Sequence, residues 1–165
     1  MKEHSVRKVG TFEIGSGEVV VSDPCYSLGT WCQGQVHAKN GNWIGSVVMS
    51  DEDDWGIRVG KLIAKHEDHQ NVEFSDNPSN IDAGVDSGQM SIFDFDHYNL
   101  GDEDEDSGEF GRGDWYDLVC RKTLKDQFGV LPGGVVSSSG VGDGSYPVFI
   151  EYEGEKAVAI KVEFL

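Results

Sequence analysis

Basic residues are scarce in this chain: 13 Lys and Arg stand against 30 Asp and Glu across 165 residues, a formal net charge of −17. Nucleic-acid binding rests on Lys and Arg neutralising phosphates, so the balance argues against that role, and anionic membranes would repel the chain for the same reason. Partners of opposite charge stay open: a basic protein, a divalent cation, or a protein surface that normally holds DNA. No run approaches the ~18 consecutive apolar residues of a membrane span, and Met1-Lys2-Glu3-His4-Ser5 leads into no signal-like apolar stretch, so a cytoplasmic location is expected. Cysteine is rare and odd in number. Cys25, Cys32 and Cys120 lack the C-x2-C spacing of a zinc or redox site, which points to reduced, buried thiols.

What is present is a folding composition. Hydrophobic residues make up 38% of the chain, with 8 Phe, 5 Tyr and 4 Trp, so the acidity belongs to a charged surface around a real core. The length fits one domain over 1–165. Alternating apolar positions predict a hairpin over 9–22, around Gly15-Ser16-Gly17, and another from 35–38 to 43–49 across Asn40-Gly41. Residues 57–66 carry both a helical stripe and Gly60, and the β-rich surroundings favour a strand. Strands are expected at 81–85, 90–95 and 134–138, with a terminal hairpin of 148–152 against 158–164 around Glu153-Gly154. The run Asp102-Glu103-Asp104-Glu105-Asp106 sits in a glycine-bearing surface loop over 101–113. One main helix is expected over 114–127, capped by Asp114. The fold class predicted is β-rich α+β: a strongly curved antiparallel sheet or partial barrel with that helix.

Three segments concentrate unusual residues: Ser22-Asp23-Pro24-Cys25-Tyr26, the stretch 82–89 from Asp82 through Asp86-Ser87-Gly88-Gln89, and Ser139-Gly140-Val141-Gly142-Asp143-Gly144-Ser145-Tyr146-Pro147. Together they resemble an uncharacterised family of bacterial and bacteriophage proteins, domain-of-unknown-function 4241, whose members share a D-P-C-Y-like start, a V-D-[SA]-G centre and an S-G-x-G-D-G-x-Y-P-V segment. The resemblance spans Asp23 to Val148, and the run Asp102 to Asp106 departs from it. It implies kinship and leaves activity open.

Read physically, the glycine-rich segment is a tight loop that either presents N–H groups and the Asp143 carboxylate to a ligand or serves as a turn needing glycine. Asp82 and Asp86 are four apart, on one face of a regular strand, and Asp143 can join them if the loops meet. Grouped carboxylates call for a cation, and Mg2+ or Ca2+ is the natural candidate for Asp82, Asp86 and Asp143. Alternatively Asp86 caps the following turn while Asp82 faces water. With Asp23, Tyr26, Ser87, Gln89, Ser139, Ser145 and Tyr146, these residues form a candidate small-ligand site. The acidic loop fails as an EF-hand, with Ser107 at the glycine place and Gly113 at the bidentate glutamate place.

Catalytic signatures are missing. The chain has no G-x-S-x-G, S-x-x-K, H-E-x-x-H, P-loop or dinucleotide fingerprint, and His66 and His69 stand at i,i+3, which reads as the exposed end of an element. Cys25 sits among negative charge that blunts a thiolate, and His37, His66, His69 and His97 have no evident nucleophile partner. The expected function is therefore a non-catalytic binding domain with a small-ligand or divalent-cation site on the motif loops. Two alternatives are an acidic, DNA-mimic-like protein that occupies a basic surface, and a metal-assisted hydrolase. The acidic loop yields a direct test: deleting Asp102 to Asp106 is expected to leave the unfolding midpoint in urea nearly unchanged, because loop-closure entropy varies slowly with length. A loss above ~2 kcal/mol would show a structured segment instead.

Overall fold

The computed structural model describes residues 4–24, 34–85, 88–98, 127–140 and 142–165. Strands β1 (His4–Ile14), β4 (Gly41–Asp51), β5 (Ile57–His66), β11 (Lys156–Glu163), β10 (Gly144–Glu153) and β6 (Asp82–Val85) lie side by side in that order as one sheet. Strands β3 (Gly34–His37), β2 (Glu18–Ser22), β7 (Gln89–Asp94), β9 (Gly134–Ser138) and β8 (Phe128–Leu131) form the second. All of these strand pairs are antiparallel.

The period-two pattern explains why the sheets stack. In β4, Trp43, Val47 and Met49 are buried while Ile44, Ser46 and Val48 between them stay partly exposed. The buried side chains merge with Phe12, Ile14, Leu62 and Ile160 of the same sheet and with Val19, Val21, Met90, Ile92 and Val135 of the other into one core. Each such aliphatic or aromatic side chain contributes roughly 1.5–3 kcal/mol of transfer free energy. Gly60, which weighed against a helix over 57–66, is the extra residue of a bulge. Val48 pairs with Lys61 and Met49 with Val59, leaving Gly60 unpaired, and its carbonyl accepts the backbone N–H of Phe164 at 2.8 Å.

Strand β7 is buried at all six positions. Met90 and Ile92 join the main core, while Phe93 packs on the opposite face of its sheet with Val20, Leu131, Val136 and Tyr98. The Tyr98 ring meets the Phe93 ring edge-on, with centroids 6.1 Å apart. Both faces of the second sheet therefore carry apolar burial, the first across the sandwich and the second outside it.

Two expectations are corrected. The described residues do not form an α+β domain on one curved sheet or partial barrel: they form two open antiparallel sheets, and their helical content is three 3-10 turns, Asp53–Trp55, Glu67–His69 and Phe95–His97. No α-helix occurs among the described residues. The helix expected over 114–127 falls outside them except for Gln127, which holds φ at 69° and precedes β8. The acidic loop 101–113 and all three cysteines also lie outside.

The second correction concerns the hairpins over 9–22 and 35–49. β1 and β2 belong to different sheets, as do β3 and β4, so each turn carries the chain across the sandwich. The crossing at Asn40-Gly41 is held by the Gly17 N–H donating to Asn40 Oδ1 at 2.7 Å, the Trp43 indole donating to Lys39 O at 2.8 Å, and His66 Nε2 bonding Asn40 O at 3.0 Å. Strands β6 and β7 likewise sit in opposite sheets, whereas β10 and β11 pair as expected around Glu153-Gly154. No helix among the described residues is long and apolar enough to cross a membrane.

The outer cluster gives a stability test. Phe93→Ala is expected to cost about 3–5 kcal/mol, as for a fully buried aromatic, although Phe93 faces away from the main core. Chemical denaturation would measure it, and a loss below ~1 kcal/mol would show that the outer face is only loosely packed.

Candidate functional site

Three distant stretches of sequence meet at one end of the sandwich. Ser22 closes β2 opposite Ser91 of β7, and Gln89 opens β7 opposite Ser138, the last residue of β9. Gly144 opens β10 opposite Val85, the last residue of β6, and the Ser139 N–H donates to Gly88 O at 2.9 Å. Antiparallel pairing thus sets the end of the 82–85 strand, Gly88-Gln89, Ser22-Asp23 and the glycine-rich loop beside one another.

The hydroxyls at this end serve the backbone. Ser91 Oγ donates to Ser22 O at 2.9 Å, Ser22 Oγ to the Tyr98 hydroxyl at 2.9 Å, and Tyr98 in turn to Asp23 O at 2.8 Å. In the glycine-rich loop, Ser139 Oγ and the Tyr146 hydroxyl both donate to Gly142 O, at 2.6 and 2.7 Å. Buried carbonyls without such partners would be costly, so these hydroxyls fix the loop's shape. Gly140 seats the loop on β5: its φ is 72°, and a Cβ there would lie 2.2 Å from Val59 O. Burial pushes the Tyr146 phenol above its ordinary range; a hydrogen bond with Ser139 opposes the shift, and the Asp143 carboxylate adds to it.

The candidate residues separate by environment. Asp23, Gln89, Ser139 and Tyr146 are buried, and Asp143 in the loop and Ser145 at the start of β10 are exposed. Asp82 is exposed but stands opposite Pro147, four positions along β10 from Asp143, or about 13 Å at strand rise. Ligands of one Mg2+ or Ca2+ must all come within ~2.6 Å of the ion, so Asp82 and Asp143 cannot share one in this arrangement. Tyr26, Asp86 and Ser87 lie outside the described residues. Among the described residues, no group of three or more His, Cys, Asp and Glu side chains is placed to hold a metal ion.

His66 corrects a further expectation, since it is buried rather than at an exposed end. Its Nδ1 accepts the Asp68 N–H at 3.1 Å, which leaves the hydrogen on Nε2 for Asn40 O, and the ring works as a staple between β5 and the crossing segment. His69 Nε2 lies 3.2 Å from Glu153 Oε2 and 3.2 Å from Lys39 Nζ, a surface network beside the β10–β11 turn.

A seam separates the sheets along one side, where the edge strands β1 and β8 run together. Gly10, at a bulge in β1, lets Val130 of β8 come close: a Cβ on Gly10 would lie 2.8 Å from a Val130 methyl. On the motif side of this contact is a cavity of about 560 Å³ lined by Arg7, Met49, Ile57 and Phe128 among others, and on the other side one of about 450 Å³. Gln127 ties the larger cavity to the motif end, since its Nε2 donates to Ile57 O at 3.0 Å and its carbonyl accepts the Ser138 N–H at 2.7 Å.

Set against known proteins, this chain matches no family model, no curated protein and no solved structure. The site's chemistry is therefore argued from its own residues.

One polar centre escaped the sequence reading. Asp94, at the end of β7 and 1% exposed, accepts the Ser16 N–H at 3.1 Å, the Ser16 hydroxyl, and His97 Nδ1 at 2.7 Å. The signal available was Asp94-x-x-His97 at a strand terminus, with Ser16 far away in sequence. Burial alone would raise the Asp94 carboxyl, but hydrogen bonds from Ser16, His97 and the Gly15 backbone outweigh it and hold it below the ordinary carboxylate range. A carboxyl depressed by folding stabilises the native state above its unfolded value, and that contribution disappears as pH falls through the native value. Asp94→Asn should therefore be less stable than wild type at neutral pH, with the gap narrowing on acidification. Urea midpoints measured from pH 7 down to pH 3 would check this, and a gap that widens in acid would contradict the assignment.

Proposed function

We propose that this protein is a non-catalytic binding domain whose recognition face is the end of the sandwich where the three motif segments meet. The supporting observation is the convergence of their described residues through the β2–β7–β9 and β6–β10 pairings, which gathers Ser22 and Asp23, Val85, Gly88 and Gln89, Ser139 and Gly140, and residues 142–146. Loops carried on one end of a rigid sandwich are a recurrent way to present a ligand face. Here the serine and tyrosine hydroxyls brace the loop, and Asp143 in the loop and Ser145 at the start of β10 are exposed polar groups beside it. A small ligand fits this arrangement better than a cation held by Asp82, Asp86 and Asp143, because register separates Asp82 from Asp143. Kinship with the domain-of-unknown-function 4241 family and a cytoplasmic setting belong to the same proposal, the first resting on the motifs and the second on the sparse cysteines.

Amide NMR spectra recorded on titration with Mg2+, Ca2+ and AMP test the reading. The expected result is that a probe shifts the resonances of Gly142, Asp143, Gly144 and Ser145 and of Gly88 and Gln89. Asp143→Asn should lose the response with an unchanged thermal midpoint, because the amide keeps the shape and removes the charge. If no probe moves those signals while polylysine binds in a salt-sensitive way, the acidic-surface alternative replaces this reading. Misfolding of Asp143→Asn would instead make the aspartate a structural residue and overturn its assigned role.

A further inference from the structure

At the opposite end of the seam, away from the motif segments, His97 is held in a pose that suits recognition. Its Nδ1 bonds the buried Asp94 carboxylate, and the same carboxylate is fixed from its other side by Ser16, so the imidazole cannot turn without breaking a buried network. The β8–β9 turn presses on the ring from another direction: Gly133 holds φ at 83°, and a Cβ there would fall 2.4 Å from His97 Cβ. The side chain nonetheless stays 39% exposed. With Nδ1 donating to Asp94, the neutral imidazole has Nε2 left as a hydrogen-bond acceptor.

The groove beside it has the volume of a small-molecule site. It is an open groove of about 450 Å³ along Phe12, Val130, Leu131 and Pro132, with His97 and Glu13 as the ionisable members among the described residues that line it. Among the described residues, neither lysine nor arginine lines it. An acceptor nitrogen, a carboxylate residue and apolar walls favour a ligand with an apolar body and a protonated amine, and the net charge of −17 works in the same direction.

We infer that the groove between the β1 end and the β8–β9 turn is a binding site for a small apolar amine, with Val130 and Pro132 taking the body over the buried Phe12 and Leu131 and with His97 Nε2 and Glu13 taking the ammonium group. The inference uses none of the motif residues and stands apart from the function proposed above.

Three probes with a common ring and different head groups test it: benzylamine, benzyl alcohol and benzoate, each titrated into the full chain with amide NMR and calorimetric readouts. Benzylamine is expected to shift the resonances of Phe12, Glu13, Leu131 and Gly133 and to bind more tightly than benzyl alcohol, with benzoate weakest. His97→Phe, which keeps a ring in place and removes the acceptor, should weaken benzylamine by about tenfold, the worth of a charge-assisted hydrogen bond. Glu13→Gln, at an exposed position, should weaken it several-fold and leave benzyl alcohol unaffected. The inference is overturned if benzoate binds as well as benzylamine, if the shifts map away from the groove, or if both variants bind benzylamine like wild type.

Discussion

The described residues of this molecule are arranged around the double burial of β7. A strand with apolar groups to hide on both faces needs neighbours on each edge and cover on each side, and β7 has β2 and β9 at its edges and the six-stranded sheet across the core. Its polar residues cannot be left unmatched in that setting. Ser91 is used to hold the β2 carbonyl at Ser22, and Asp94 gathers Ser16 and His97 at the strand's end. The two candidate sites follow from this constraint, one at each end of β7: hydroxyls bracing the motif loops where the strand begins, and a carboxylate orienting an imidazole where it stops.

The strands were legible in the sequence because alternation is a property of each strand alone. Phe12 and Ile14, Val19 and Val21, and Trp43 and Val47 all marked buried faces that the fold uses. Their pairing was less legible. A turn such as Gly15-Ser16-Gly17 supplies the same backbone freedom whether the next strand folds back in the same sheet or crosses to the facing one, since both outcomes bury the same alternate residues. What separates them is long-range: Asn40 reaching Gly17, and Trp43 and His66 reaching the chain at 39–40. The pair β10 and β11 could be read correctly because a two-residue connection, here Gly154-Glu155, is the commonest way for a strand to fold back on its own sheet.

The motif segments show the same division. Their residue types announced tight loops, but the types do not say whether a hydroxyl faces outward or is spent on a carbonyl. Ser139 and Tyr146 share the Gly142 carbonyl, which depends on the loop's closure and on no local pattern. The Asp82 spacing to Asp86 suggested a shared face, yet the antiparallel register with β10 carries Asp82 away from Asp143. Asp94 was passed over because an aspartate near the end of an apolar strand reads as a boundary, and its partner Ser16 is 78 residues away.

The sheet borders have a consequence for how copies of this chain meet. Three of the four border strands, β3, β6 and β8, are only four residues long, so each offers a short ladder to an incoming strand. The fourth, β1, is eleven residues long, but its pairing is interrupted by the irregularity between Lys8 and Gly10, and Arg7 and Lys8 lie at the break. Strand-on-strand growth needs a long, flat, uncharged rim. The described borders of this sandwich provide none, so they disfavour fibrous self-association by the same devices that end each sheet.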